Sequence, residues 1–190
     1  DPDGPEAAAR TARRAALLDV AGDEPVLLGH TRDDQAEQVL LSLARGSGAT
    51  SLAGIRPRSG QFWHPLLEVR RAQTVQACRE WEVEPWQDPH NGDPRFLRSR
   101  VRTELMPVME EVLGPEVAAS LARSATLLAG EDEVVARVAR MWADEHGVNA
   151  NELPGLRGVE VGLARRVVKE WLPQARMVHV DAVLGLLDGP

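Results

Sequence analysis

Hydrophobic and polar positions along the chain alternate between helical and extended spacing. Over residues 5–20 the apolar positions Ala9, Ala12, Ala16, Leu17 and Val20 share one helical face, while Arg10, Arg13 and Arg14 lie elsewhere. Pro5 at the opening and Gly22 just past the end supply start and stop signals. The run Pro25-Val26-Leu27-Leu28-Gly29 is too short for packed helical turns and predicts a buried parallel strand. His30-Thr31-Arg32 then reads as a loop, and Asp33-Asp34 open a second helix that runs to about Arg45 and stops at Gly46-Ser47-Gly48. Residues 62–67 predict a weak strand or loop, 69–81 a helix, and 83–86 an edge strand or extended turn. Two prolines and a glycine within 88–94 predict a shaped loop without regular structure. From Phe96 the pattern is helical as far as Gly114-Pro115. A long helix over about 116–146, with a break near Gly130, and amphipathic helices over 163–172 and 180–187 complete the chain.

Helix, strand, polar turn and helix in succession define an α/β fold with a parallel sheet, whose ligands sit beyond the carboxyl ends of its strands. The expected organisation is an α/β domain over 1–114 and a small all-helical domain over 115–190, with Gly114-Pro115 at the boundary.

Composition narrows the class of protein. The 190 residues are 43% hydrophobic and 27% charged, which is enough chain to bury a core. No apolar run reaches the roughly 18–20 residues of a membrane span. One cysteine, Cys78, excludes a disulfide framework, a Cys-rich zinc site and a Cys-ligated iron–sulfur cluster, and its setting predicts a half-buried helix residue. Nothing at the start resembles a signal peptide, so a cytoplasmic location is expected. The opening DPDGPE reads like the middle of a loop, as in a piece of a longer protein. A net charge of -7 argues against a nonspecific nucleic-acid coat but not against a local basic site. The basic set is also one-sided, since Lys169 is the only lysine among 22 basic residues. Arginine is always charged and presents a planar fork suited to phosphate and carboxylate.

Two groups of residues could carry chemistry. Asp34 and Glu37, three apart at a helix start, place two carboxylates on one face, with His30 and Asp33 just before them. Such a pair forms a capping box, or else faces a cleft where it can hold an ammonium group or a divalent metal. The second group is Arg95, Arg98, Arg100 and Arg102, of which Arg98 and Arg102 share a helix face. It forms either a solvated face or, beside the loop carrying Asp88 and Asn91, a receptor for carboxylate or phosphate. Arg45-Gly46-Ser47-Gly48 reads as a helix end before an anion nest. His64, His90, His146 and His179 show no ligand spacing, and no metal-ligand set is assigned. Trp63 and Trp86 flank loops where a base could stack, whereas Trp81, Trp142 and Trp171 read as core or interface. No Ser-His-Asp arrangement or Walker loop is present.

In order along the chain, EAAARTARR, GHTRDDQAEQVLLSLARGSGATSL, HPLLEVRR and WQDPHNGDPRFLRSRVRTELMP resemble four segments of the tRNA(Ile)-lysidine synthetase family. The resemblance covers about 5–107 well, and beyond that only in style. It implies a PP-loop, Rossmann-like nucleotide-binding domain followed by a small helical domain. It also implies a reaction: ATP adenylylates the C2 carbonyl oxygen of the wobble cytidine of an isoleucine tRNA with a CAU anticodon. The side-chain amine of L-lysine then attacks C2 and AMP leaves. By position, Asp34 and Arg102 match catalytic residues; Arg10, Asp34, Glu37 and Arg102 match the lysine site; His30 lies on the nucleotide side; Asp88, Asn91 and Arg98 position the loop. ATP, with Mg2+, is the expected nucleotide. The family's Ser-Gly-Gly-x-Asp-Ser loop occurs nowhere in the sequence, His64 replaces the usual arginine before Pro65-Leu66-Leu67, and Ser99 stands where asparagine commonly follows Arg98. The expectation is a fragment, inactive by itself, of a working enzyme. Alternatives are a tRNA sulfur-transfer enzyme, which the single Cys78 weighs against, a metal-dependent hydrolase using His30, Asp33, Asp34 and Glu37, and a noncatalytic RNA-binding module.

Overall fold

The computed structural model describes residues 4–86, 88–150, 153–173, 175 and 177–187. Residues 1–3, expected in a loop, and the side chain of His90 lie outside the described residues. The chain opens with helix α1 (Gly4–Ala21), strand β1 (Val26–Leu27) and helix α2 (Arg32–Ala44), followed by the single-turn helix α3 (Ala49–Leu52). A hairpin, β2 (Arg58–Ser59) and β3 (Phe62–Trp63), leads into α4 (Arg71–Glu80). A 3-10 turn (Pro89–Gly92) precedes α5 (Leu97–Arg100), a π-helical turn (Val101–Leu105) and α6 (Met106–Leu113). The long α7 (Val117–Glu145), a 3-10 turn (Leu153–Leu156), α8 (Val161–Trp171) and α9 (Met177–Gly185) follow.

The described sheet is small and mixed rather than parallel throughout. Its order is β1-β3-β2, with β1 parallel to β3 (Val26 opposite Phe62) and β2 antiparallel to β3 (Arg58 opposite Trp63). The antiparallel pair arises because Gly60, at φ 58°, closes a tight turn between β2 and β3. Alternation along β1 buries Val26 and leaves Leu27 64% exposed, so the expected buried strand is half-buried, at the edge of the sheet among the described residues. Residues 83–86 form no strand, and the 88–94 loop contains a 3-10 turn, because Pro89 is compatible with the first position of a helical turn. The helix expected from Phe96 onward is resolved into α, π and α segments. Pro107 has no N–H to return to Thr103, and the ladder widens by one residue just ahead of it. Gly130 leaves α7 unbroken.

The chain divides into two compact units, residues 1–41 with 54–123 and residues 42–53 with 124–190. In the first, α2 presents Ala36 and Leu41 to Val101, Met106 and Val117, with Leu40, Met109, Ala118 and Leu121 packed around them. These side chains of early α7 carry the unit past Gly114-Pro115: that dipeptide ends α6 without ending the packing. In the second, Ala139, Ala143, Val148, Leu156, Ala164, Val167, Val168 and Val180 form the core beside Trp142 and Trp171. Each fully buried valine contributes about 1.5–3 kcal/mol. Here the buried Asp132 accepts Thr50 Oγ1 at 2.8 Å and Arg166 Nη1 at 2.6 Å, stapling α3, α7 and α8. Lys169 Nζ donates to the carbonyls of Pro173 and Ala175, just past the end of α8. Among the described residues no helix is long and apolar enough to cross a membrane.

One turn in the first unit leaves no room for a side chain. Gly54, at φ 67°, would place a Cβ 2.5 Å from Gln35 Oε1. The buried Gln35 amide is held there by Ile55, whose N–H donates to Oε1 at 2.6 Å and whose carbonyl accepts Nε2 at 3.1 Å. Gly54→Ala is expected to cost about 1–3 kcal/mol through backbone strain, measured by thermal unfolding.

Candidate functional site

Helix α2 begins one residue earlier than expected, and this changes what its acids do. Thr31 precedes the helix, and Asp34 Oδ2 accepts both its N–H (2.8 Å) and its hydroxyl (2.7 Å). The cap therefore pairs Thr31 with Asp34 rather than Asp34 with Glu37. Glu37 falls within the helix, only 1% exposed, and is available for another task.

That task is to gather arginines. Glu37 Oε1 accepts Arg102 Nε at 2.7 Å and both terminal nitrogens of Arg71 at 3.2 Å. Its Oε2 accepts Arg98 Nε at 2.9 Å and Arg102 Nη2 at 3.0 Å. The remaining oxygen of Asp34, Oδ1, faces the same three guanidiniums, at 2.9 Å from Arg71, 3.2 Å from Arg102 and 3.4 Å from Arg98. Asp33 Oδ2 accepts the backbone N–H of Arg71 at 2.8 Å. Four segments thus converge: the start of α2, the start of α4, α5, and the π turn that carries Arg102. π turns recur at functional sites because they re-aim single side chains.

Three guanidiniums face the carboxylates of Asp34 and Glu37, with Asp33 close enough to act on Arg102 through its charge. The arginine side chains are 27–31% exposed, so the cluster has a buried acidic floor and an open cationic rim. Nη1 of Arg98 and of Arg102 meets no acceptor among the described residues and can donate to a ligand. Burial alone would push the carboxyls of Asp34 and Glu37 up. The Thr31 bonds, Arg71 and Arg98 outweigh it at Asp34, and the bonds from Arg102 and Arg98 outweigh it at Glu37, so both stay below their ordinary values.

His30 follows β1 and stands with its ring centroid 5.0 Å from that of His64. His64 is buried, and its Nδ1–H donates to the Arg56 carbonyl at 2.8 Å. Nδ1 of His30 is buried without a hydrogen-bond partner among the described residues. Burial lowers the basicity of both rings. Asp34 opposes this at His30 while His64, Arg98 and Arg10 reinforce it; the Arg56 carbonyl opposes it at His64 while Arg14 and Arg10 reinforce it.

These directions set an acid profile. A histidine whose folded pKa lies below 6.5 binds its proton first in the unfolded chain. Stability is therefore expected to fall as pH drops below about 6.5, and to level off once the folded rings protonate. A second loss is expected below the ordinary values of 4.5 and 3.8, as pH falls toward the depressed values of Glu37 and Asp34. Denaturation midpoints from pH 8 to 3 measure both steps, and a His30→Gln/His64→Gln chain should lose the upper one.

Of the residues singled out by sequence, Asp34, Glu37, Arg98 and Arg102 meet directly. Arg10, exposed on α1, acts on His30 and His64 through its charge and is not among the guanidiniums that hold Glu37. Asp88 and Asn91 shape the loop: the Asp88 carbonyl accepts the N–H of Asn91 at 3.0 Å, and the Asn91 carbonyl accepts Ser99 Oγ at 3.0 Å, beside Arg98. Asn91 thus makes this contact through its backbone. The metal alternative finds no geometry to support it. Among the described residues no group of three or more His, Cys, Asp or Glu is arranged to hold a metal ion, and the acids face guanidiniums instead.

Two members of the cluster, Thr31 and Arg71, were not legible as site residues. Arg71 does carry a signal. Arg70-Arg71 opens a helix, where the dipole disfavours cations, so a distant carboxylate partner was inferable.

The cluster lies beyond the end of β1, at the start of the following helix, the position where α/β sheets bind their ligands. Residues 3–109 match the family described as PP-loop domain, and the chain belongs to that family. It is 49% identical over 170 residues to the tRNA(Ile)-lysidine synthase of Mycolicibacterium paratuberculosis, covering 89% of this chain and 53% of that protein. Identity to the tRNA(Ile)-lysidine synthase of Thermobifida fusca is 48% over 175 residues, or 87% of this chain and 53% of the relative. For that of Mycobacterium tuberculosis it is 49% over 174 residues, with 89% and 54% covered. The chain spans about half the length of the curated relatives it matches.

Proposed function

We propose that this chain is part of an ATP-using tRNA-modifying ligase, which joins L-lysine to C2 of the wobble cytidine in an isoleucine tRNA with a CAU anticodon. The observation that carries the reading is the convergence of Arg71, Arg98 and Arg102 on Asp34 and Glu37 in a PP-loop domain. A reaction that brings together an amino acid, an activated base and a departing phosphate is accelerated mainly by positioning and charge stabilisation. The cluster offers both: guanidinium donors for carboxylate or phosphate, and an acidic floor that holds those donors in place.

In this reading Asp34, Glu37, Arg10 and Arg102 hold the lysine, with Asp34 and Arg102 nearest the chemistry. Since Glu37 is buried beneath three arginines, it acts on the ligand through them. His30, kept neutral by burial, lies on the nucleotide side, and Asp88, Asn91 and Arg98 set the loop. ATP is the nucleotide, acting in the cytoplasm with Mg2+. No described carboxylate cluster fits that ion, and no step here passes through it. Residues 115–190 would serve as a helical appendage.

Incubating the full-length enzyme with ATP, L-lysine and the tRNA, then analysing digested nucleosides by mass spectrometry, tests the proposal. Lysine-dependent AMP release with a lysine adduct on one cytidine is expected. AMP release that ignores lysine, or no adduct, would overturn it.

A further inference from the structure

We propose that Arg71 is a positioning residue that locks the Arg98–Arg102 pair into a receptor for an anionic ligand, carboxylate or phosphate. The inference rests on the reading above only for which anion that is. Arg71 occupies the first position of α4, the end of a helix where a cation is electrostatically misplaced. It is held there from outside α4. Its N–H donates to Asp33 Oδ2 at 2.8 Å, and in the preceding turn the Val69 carbonyl accepts the N–H of Arg32 at 2.9 Å. The beginnings of α2 and α4 are thereby joined through backbone.

From this fixed point the guanidinium spans both acids, with Nη2 at 2.9 Å from Asp34 Oδ1 and 3.2 Å from Glu37 Oε1, and Nη1 also at 3.2 Å from Oε1. Both terminal nitrogens of Arg71 are thus used on carboxylates. Arg98 and Arg102 reach the same acids through Nε and Nη2 and keep Nη1 directed elsewhere. Their contacts with Asp34 Oδ1, at 3.4 and 3.2 Å, are longer than that of Arg71. The division of labour follows: Arg71 fixes the distance between the carboxylates, and that distance aims the other two forks. Lysine at position 71 retains the charge but, as a point donor, does not reproduce the planar bridge.

The test uses the full-length enzyme with Arg71→Ala and Arg71→Lys, the latter serving if the former fails to fold. In the first arm, 15N spectra report the Nε–H signals of Arg98 and Arg102, assigned with R98K and R102K. Collapse of both toward the position of solvent-exposed arginine is expected in the variants, and unchanged signals would overturn the proposal. In the second arm, KM is measured separately for L-lysine and ATP. A rise of tenfold or more for lysine alone identifies a carboxylate, and for ATP alone a phosphate. Both values within twofold of the unsubstituted enzyme would overturn the proposal, because a purely structural arginine would lower only the melting temperature. If the unsubstituted enzyme shows no lysine-dependent reaction, the proposed function fails while the first arm still decides the role of Arg71.

Discussion

Glu37→Ala is expected to cost about 3–5 kcal/mol of folding stability, the range for removing one partner of a buried ionic group. Glu37 is the acid on which all three arginines converge, and it sits beneath them in α2. Without it, Arg71, Arg98 and Arg102 share Asp34, and like charges face one another around a vacated floor. Glu37→Gln keeps the volume but offers one acceptor oxygen in place of two, so an intermediate loss is expected. For a chain of this size the alanine change corresponds to a drop on the order of 10 °C in melting temperature, read by calorimetry. A shift below 2 °C would mean that the cluster is held by the surrounding packing and that its acids are incidental.

Arg102→Ala should act mainly on chemistry. The side chain makes a two-point contact with Glu37 but shares that carboxylate with two other arginines, so its loss leaves the acid paired. A stability loss of only about 1.5–3 kcal/mol is expected, typical of a hydrogen bond to a charged group. In the full-length enzyme, lysidine formation at low lysine should fall about 100–1,000-fold, the scale for removing one preorganised donor from a developing charge. Asp34→Ala should impair turnover comparably while also removing the Thr31 cap. Normal turnover at low lysine in either variant would sink the site assignment.

The sequence disclosed the parts of this site that are local. Gly29 after an apolar run, the acids of the next helix, and Arg98 and Arg102 one turn apart are short-range signals, and α1, α2 and α4 formed within two residues of their expected bounds. What stayed hidden depends on distance along the chain. Arg71 meets Asp34 across 37 residues, and no periodicity marks such a pairing. The Asp-x-x-Glu spacing matches a capping box, but the helix starts at Arg32, which hands that task to Thr31 and Asp34. The π turn is visible only as Pro107, whose missing N–H could equally have started a new helix. The adhesion of residues 42–53 to the later unit rests on Thr50 and Asp132, far apart in sequence.

The scarcity of lysine bears on a hazard of the proposed reaction. A base activated by adenylylation is an electrophile, and any nearby uncharged amine would be modified in place of the substrate. The cations of the cluster are all guanidiniums, which are poor nucleophiles. The single lysine of this sequence, Lys169, has its ammonium engaged by the carbonyls of Pro173 and Ala175. The three arginines thus supply donors to the cluster without adding an amine of their own. Reagents directed at amines should leave it untouched, whereas dicarbonyl reagents directed at arginine should reach its rim.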